Sequence, residues 1–464
     1  MKESKATIGL EIHAELATAT KMFCGCPNPV AAKGGGLNLK PNSLVCPVCL
    51  GLPGSLPYAN EQAVLKTYEI ARALGCKLAD QTWWERKSYF YPDLPKGFQI
   101  SQYTVPIGTQ GSLAGMTVRR VHLEEDTGKL LHPEGADPDA SVGTGYSLVD
   151  YNRSGVPLVE MVTEPEIRSA KQAVQLAKEY QLILRYLGVS EADMEKGQLR
   201  VEANISVAPN SKFKIQKSKL GTKVEVKNLN SFRAVERAIE YELKRQTELI
   251  NSGKKVVQET RGWSEAKQAT FSQRTKETES DYRYFQEPDL PPVTESLKSR
   301  RFGAQSLKLP ELPEAKRAKF RNWSVAAQYI EVLVAEVDLA KKLEGLKAIT
   351  KGDKGLLGRI ASLLVNRPET RSKSDQELIE LARLPEHQLK SMIKGERIET
   401  QAVPEATIVK AAEKVLAANT KAVSDYQKGK QAAAGFLVGQ VMRQIKNADP
   451  KLVKKILEHS LKLN

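Results

Sequence analysis

Apolar and polar residues alternate at a spacing of two along several stretches of the chain, the mark of strands with one face in a core. In Ile8–Leu16, Leu10, Ile12, Ala14 and Leu16 share one parity, and Glu11, His13 and Glu15 the other. Arg200–Val207 repeats the pattern, with Val201, Ala203, Ile205 and Val207 against Arg200, Glu202, Asn204 and Ser206. Lys223–Asn228 places Lys223, Glu225 and Lys227 on one face, and Val118–Asp126 is strand-like and ends in Glu124, Glu125 and Asp126. Several strands whose polar faces all carry acids and bases predict a wet, charged, concave sheet face, because solubility alone seldom demands such a set. Apolar residues at three-to-four spacing predict helices over Asn60–Leu74, Ser169–Leu187 and Ser231–Ser252, the last stopped by Gly253.

The stiff, proline-rich Glu287–Pro292 marks a boundary, beyond which helical periodicity dominates. The expected fold is therefore α+β. A mixed amino-terminal cradle domain with an antiparallel-rich sheet spans residues 1–292, an all-α domain spans 293–403, and a small all-α tail spans 404–464.

Charge sharpens this picture. A net of +15 over 464 residues suits a polyanionic partner such as nucleic acid. Pro404–Asn464 contributes eleven Lys or Arg against five Asp or Glu, and its Lys428-Gly-Lys turn precedes an apolar helix, which points to phosphate contact. The longest nearly apolar run, Ala432–Met442, is far below the roughly 20 residues of a membrane span, and the amino terminus lacks an apolar signal region. A cytoplasmic protein without a membrane partner is expected.

Cys24 and Cys26 stand before a Gly34-Gly35-Gly36 loop and Cys46 and Cys49 after it, the form of a four-thiolate structural zinc knuckle in a reducing compartment. Cys76 is expected to be merely buried. Asp150, Asn152, Arg153 and Glu160 interrupt the otherwise apolar Leu148–Pro165. Arg86–Pro95 and Tyr284–Pro291 echo each other in aromatics, acids and prolines, and either clamp a base or phosphate or close the edge of a core. A glycine-rich phosphate loop, a Rossmann fingerprint and a nucleophile elbow are all missing from the sequence. Any ATP must then be held on a sheet by metal and basic side chains.

Five motifs in order, Ile8–Leu16, Tyr89–Gly97, Leu148–Glu160, Lys227–Arg233 and Asp281–Phe285, resemble the GatB family, the B subunits of the aspartyl/glutamyl-tRNA amidotransferases. The carboxy-terminal Asp425–Gln440 resembles that family's tail domain. The resemblance implies an ATP-dependent ligase of translation. The side-chain carboxylate of Glu on tRNA(Gln), or Asp on tRNA(Asn), is phosphorylated and then amidated. Ammonia arrives from a partner glutaminase of the amidase type, with a small third subunit clamping the pair.

By the same resemblance, Glu11, His13, Glu125, Glu202 and Glu225 are expected to hold Mg²⁺. Arg86, Lys87, Arg153, Arg200 and Lys227 are expected at phosphate or acyl groups, with Asn152 and Asn204 orienting, and Glu125, His13, Lys87 and Arg200 in catalysis. Position 202 carries Glu where the family pattern leads one to expect Asp. The alternative is a non-catalytic scaffold that presents misacylated tRNA to a partner enzyme; convergent acids on strands favour the enzyme.

Overall fold

The computed structural model describes residues 4–31, 39–131, 146–209, 220–275, 282–294, 309–393, 405–428, 432–445 and 448–463. The Gly34–Gly36 loop, Ser280 and Asp281, the basic Lys298–Arg301 and the turn at Gly429 and Lys430 lie outside them.

Nine strands form one sheet: β1 (Ser4–Glu15), β2 (Lys77–Leu78), β3 (Gly108–Leu113), β4 (Met116–Glu125), β5 (Pro157–Thr163), β6 (Leu199–Pro209), β7 (Val224–Leu229), β8 (Glu259–Ser264) and β9 (Ala269–Thr275). The order across it is β9-β8-β7-β6-β1-β5-β4-β3-β2. Every pair is antiparallel except β7 with β8. The strand with the clearest alternation, β1, is central, and it starts at Ser4 rather than Ile8.

Period two decides which side chains the sheet buries. Leu10 and Ile12 of β1, Val121 and Leu123 of β4, Val159 and Met161 of β5, Val201 and Ile205 of β6, and Val224 and Val226 of β7 form one apolar layer. Helices α1 (Glu61–Ala73), α2 (Ala170–Leu187) and α3 (Phe232–Asn251) pack against it, α1 on β4, α2 on β1 and α3 on β6 and β7. Their starts are chemical. The side chains of Asn60, Ser169 and Ser231 accept from the backbone N–H of Ala63, Gln172 and Ala234, each cap worth about 1 kcal/mol. Gly188 ends α2 at φ 66°, a left-handed conformation that glycine adopts without Cβ strain.

A second, three-stranded sheet sets Glu85–Ser88 between Phe285–Gln286 and Phe98–Ser101. The two segments that echo each other in sequence are thus hydrogen-bonded neighbours, with Phe285 opposite Arg86. The helices α4 (Pro313–Asn322), α5 (Ala327–Ala335), α6 (Val337–Ile349) and α7 (Lys354–Asn366) belong to the same compact unit as the sheet, which ends at Asn366. The Arg317 guanidinium forks onto Glu179 of α2 at 2.8 and 2.7 Å, and the Tyr186 hydroxyl donates to the Val334 carbonyl at 3.0 Å. Glu287–Pro292 therefore lies inside this unit.

Arg367–Asn464 forms the second unit. Helices α8 (Asp375–Arg383), α9 (Glu386–Ile393), α10 (Glu405–Ala418), α11 (Thr420–Gln427), α12 (Ala432–Gln444) and α13 (Pro450–Leu463) fall in it. Ile408, Val415, Leu437, Val441, Val453 and Leu457 make its core. The order of a sheet-bearing mixed region followed by helices is the one the periodicity predicts. Among the described residues no helix is long and apolar enough to cross a membrane.

Candidate functional site

The polar parity of the sheet forms the opposite face, and the strand register aligns it. His13 of β1 stands opposite Glu160 of β5 on one side and Arg200 of β6 on the other, and Glu160 stands opposite His122 of β4. Glu11 is opposite Glu202, and Asn204 is opposite Glu225. Two groups of metal-binding atoms result: His13 with Glu124 and Glu160, and Glu11 with Glu202 and Glu225, the atoms of each within 4.8 Å of one another. Glu11 and His13 are two residues apart on one strand, so the groups adjoin at about 6.6 Å along it.

In the first group His13 Nε2 lies 3.6 Å from Glu124 Oε1 and 4.0 Å from Glu160 Oε1. Ligands bonded to a hard cation at about 2.1 Å are about 3 Å apart when adjacent and about 4.2 Å when opposite, so these separations fit one Mg²⁺. In the second group Asn204 Nδ2 donates to Glu11 Oε1 at 2.8 Å, while Asn204 Oδ1 is buried with no hydrogen-bond partner among the described residues. An amide oxygen without a proton donor beside three carboxylates fits a divalent cation as well.

The surroundings split these acids. Burial raises the Glu11 carboxyl above its ordinary range, helped by Glu160, Glu202 and Glu225. Burial presses Glu202 the same way, yet the Lys227 ammonium 2.9 Å from its Oε2 prevails and holds it at about 2. Burial likewise opposes ionisation of Glu124 and Glu160, but His122 and His13 bring both below the usual value, Glu160 well below. Glu225 accepts from the Thr260 hydroxyl at 2.8 Å. Beside the acids, Lys87 Nζ rests 4.8 Å from the Tyr282 ring centre and 5.7 Å from that of Tyr89, and Tyr103 and Tyr284 stack at 4.6 Å. Burial, and then the charge of Glu124, raises the Tyr89 and Tyr284 phenols. The aromatic motifs thus wall the carboxylate floor.

Of the residues expected at the site, Glu11, His13, Arg200, Glu202, Asn204, Glu225 and Lys227 share the polar face. Four others are engaged elsewhere. Glu125 follows the parity of Val121 and Leu123, so its carboxylate accepts from Lys96 Nζ and, at 3.0 Å, from the Ile100 N–H. Its neighbour Glu124 takes the place in the cluster. Arg86 forks onto Glu287 at 2.7 and 2.8 Å and lies over the Phe98 ring. Asn152 accepts from the Leu44 N–H at 2.8 Å and donates to the Lys40 carbonyl at 2.8 Å, bracing the chain after the knuckle loop. Arg153 donates to the carbonyls of Thr127 and Gly128. Arg200 is paired with the buried Asp126, which burial would raise but Arg153 and Arg200 hold at about 2.

Glu160 stood out in the sequence only as an acid among apolar residues, and His122 not at all. Both were legible by parity. Arg120, His122 and Glu124 alternate with Val121 and Leu123, and Glu160 is the single acid of a strand buried along its whole length.

Cys24, Cys26, Cys46 and Cys49 bring four sulfurs within 4.8 Å of one another. A tetrahedral zinc with bonds of about 2.3 Å spaces its sulfurs about 3.8 Å apart, so the set fits. The Cys49 thiol is brought down to about 4, chiefly by a hydrogen bond with Cys24 against the cost of burial, and with help from Lys21. Lys21 is fully buried, with its Nζ 3.8 Å from Cys49 Sγ and 3.2 Å from the Tyr151 carbonyl. A zinc held by all four thiolates would have no open coordination position. Cys76 is half-buried against Gly108 and Gly111.

A family model described as the GatB/GatE catalytic domain matches residues 6–299, and one described as the GatB domain matches residues 360–461. Proteins named as the B subunit of aspartyl/glutamyl-tRNA(Asn/Gln) amidotransferase are similar over nearly the whole chain. That of Thermotoga maritima is 42% identical, with 98% of this chain and 99% of the relative covered. That of Caldanaerobacter subterraneus is 40% identical, with the same coverage, and that of Trichodesmium erythraeum is 39% identical, covering 98% and 97%.

Proposed function

Because this chain belongs to the GatB family, the B subunits of the aspartyl/glutamyl-tRNA(Asn/Gln) amidotransferases, we propose that its sheet face activates the side-chain carboxylate of Glu or Asp misacylated on tRNA(Gln) or tRNA(Asn). A carboxylate oxygen attacks the γ-phosphorus of ATP and ADP departs, leaving an acyl phosphate. Ammonia then attacks the acyl carbon, phosphate leaves with the bonding pair, and the nitrogen loses a proton to give the amide. The ammonia comes from glutamine hydrolysed in a partner amidase, and a small third subunit holds the two together.

The observation that carries this reading is the pair of acidic groups sharing β1. Phosphoryl transfer demands alignment and charge neutralisation more than a covalent nucleophile. Bound Mg²⁺ would supply neutralisation between the phosphate oxygens and polarise the transferring group. His13, Glu124 and Glu160 would hold one ion, and Glu11, Glu202, Glu225 and Asn204 a second. Lys227 and Arg200 flank the floor as cations for phosphate or acyl oxygens, and Lys87 approaches from the aromatic wall, where Tyr89 and Tyr284 exclude water. Glu125, Arg86 and Asn152 enter as braces.

Glu124→Gln or His13→Ala in the assembled complex should lower ADP and amide formation at least 10³-fold while glutaminase activity stays measurable. Native rates in both would remove the site assignment and leave the tRNA-presenting scaffold.

A further inference from the structure

His122 touches both carboxylates of the first acidic group without being one of its ligands. Its side chain is 3% exposed, and it lies directly opposite Glu160 and two residues before Glu124. Each carboxylate divides its two oxygens in the same way. Glu160 turns Oε1 toward His13, and its Oε2 accepts from His122 Nε2 at 2.8 Å. Glu124 likewise turns Oε1 toward His13, while its Oε2 accepts from the Ser101 hydroxyl at 3.1 Å and lies 3.7 Å from the same His122 nitrogen. One N–H is thereby placed between the two oxygens that face away from His13.

The far side of the ring leaves Nε2 as the nitrogen that anchors it. His122 Nδ1 is buried and has no hydrogen-bond partner among the described residues. Nε2 keeps its proton in the imidazolium and in the Nε2–H neutral form, so the donor toward Glu160 is present in both.

We propose that His122 is a positioning residue whose Nε2–H fixes the outer oxygen of Glu160 and borders that of Glu124, so that their inner oxygens and His13 form a preorganised divalent-cation site. The inference rests on the reading of that group as a Mg²⁺ site and adds the element that aligns it. Groups that orient ligands in this way commonly change metal affinity 10- to 100-fold when removed.

The test uses the full chain in its complex, in a Glu202→Gln background that disables the second group, with Mn²⁺ as the probe read by electron paramagnetic resonance. His122→Leu keeps the bulk and loses the donor; it should weaken Mn²⁺ binding by about 10- to 100-fold. His122→Gln places an amide N–H near the lost Nε2 and should stay within about threefold. With Glu202 restored, the Mg²⁺ concentration for half-maximal amide formation should rise for the Leu variant by the same factor as its Mn²⁺ dissociation constant. Should the Leu variant fail to fold by circular dichroism, His122→Asn replaces it, because its amide reproduces the position of Nδ1 and not Nε2, and the same loss is expected. Native affinity in the Leu or Asn variant, or equal losses in Gln and Leu, overturns the positioning role. Mn²⁺ binding that also survives His13→Ala overturns instead the reading of the group as the cation site.

Discussion

Glu124 and Glu125 are chemically identical neighbours with opposite surroundings. Three consecutive acids at the end of a strand read alike in the sequence, and the choice between them turns on parity, since Glu125 follows the buried Val121 and Leu123 while Glu124 follows His122. The Glu125 side chain is 4% exposed and its Lys96 partner 11%. Glu125→Gln leaves that ammonium buried without its counter-charge, and a loss of about 3–5 kcal/mol is expected, measured as a fall in the midpoint of the first unfolding transition. Glu124→Gln should move that midpoint far less and the reaction far more. The same logic explains what else the sequence concealed. A salt bridge such as Arg86 with Glu287 joins residues two hundred positions apart, so nothing local in the loop announces that its cation is already taken.

At the scale of elements the reading was closest where one periodicity ran uninterrupted. The cap residues Asn60, Ser169 and Ser231 begin their helices at the expected places, and β1, β6 and β7 carry the expected faces. The pairing of Phe285–Gln286 with Glu85–Ser88 was visible only as an echo, because short strands have too few residues to show a period. Ile12 is fully buried at the centre of β1; Ile12→Ala should cost about 2–5 kcal/mol in denaturant unfolding. The knuckle offers a different check. The Lys21 ammonium donates to the Tyr151 carbonyl, Ser154 Oγ to the Cys49 carbonyl, and the Met22 N–H to the Gly155 carbonyl, so the thiolate site is tied to the turn that leads into β5. Metal analysis should find one zinc bound at the knuckle per chain, and Cys46→Ser should lower both that occupancy and the melting temperature.

For the whole molecule, composition alone pointed toward a polyanion, and the division into a sheet-bearing unit and a helical carboxy-terminal unit gives that charge two addresses. The carboxy-terminal unit has its own core and carries 18 Lys or Arg against 12 Asp or Glu, a net of +6 out of +15, with the other +9 in the sheet-bearing unit. Deleting Pro404–Asn464 should weaken binding of misacylated tRNA and flatten the dependence of log affinity on log salt, each lost phosphate contact reducing the slope by roughly 0.7–0.9. An unchanged slope would show that the phosphate contacts lie outside Pro404–Asn464. The sequence places the divisions after residues 292 and 403, whereas the chain separates into its two compact units after Asn366. A proline-rich segment resembles a linker until Arg317 is seen clasping Glu179, and contacts of that range have no local signature.

Both acidic groups draw a member from β1, and the two are spaced by a single strand repeat. Sliding that strand by one residue would send Leu10, Ile12 and Ala14 to the wet side and bury Glu11 and His13 against the helices. The site can therefore be varied by exchange of side chains, but it does not accept a one-residue insertion or deletion within the paired part of β1. Insertions and deletions that spare the site are those in the loops around it.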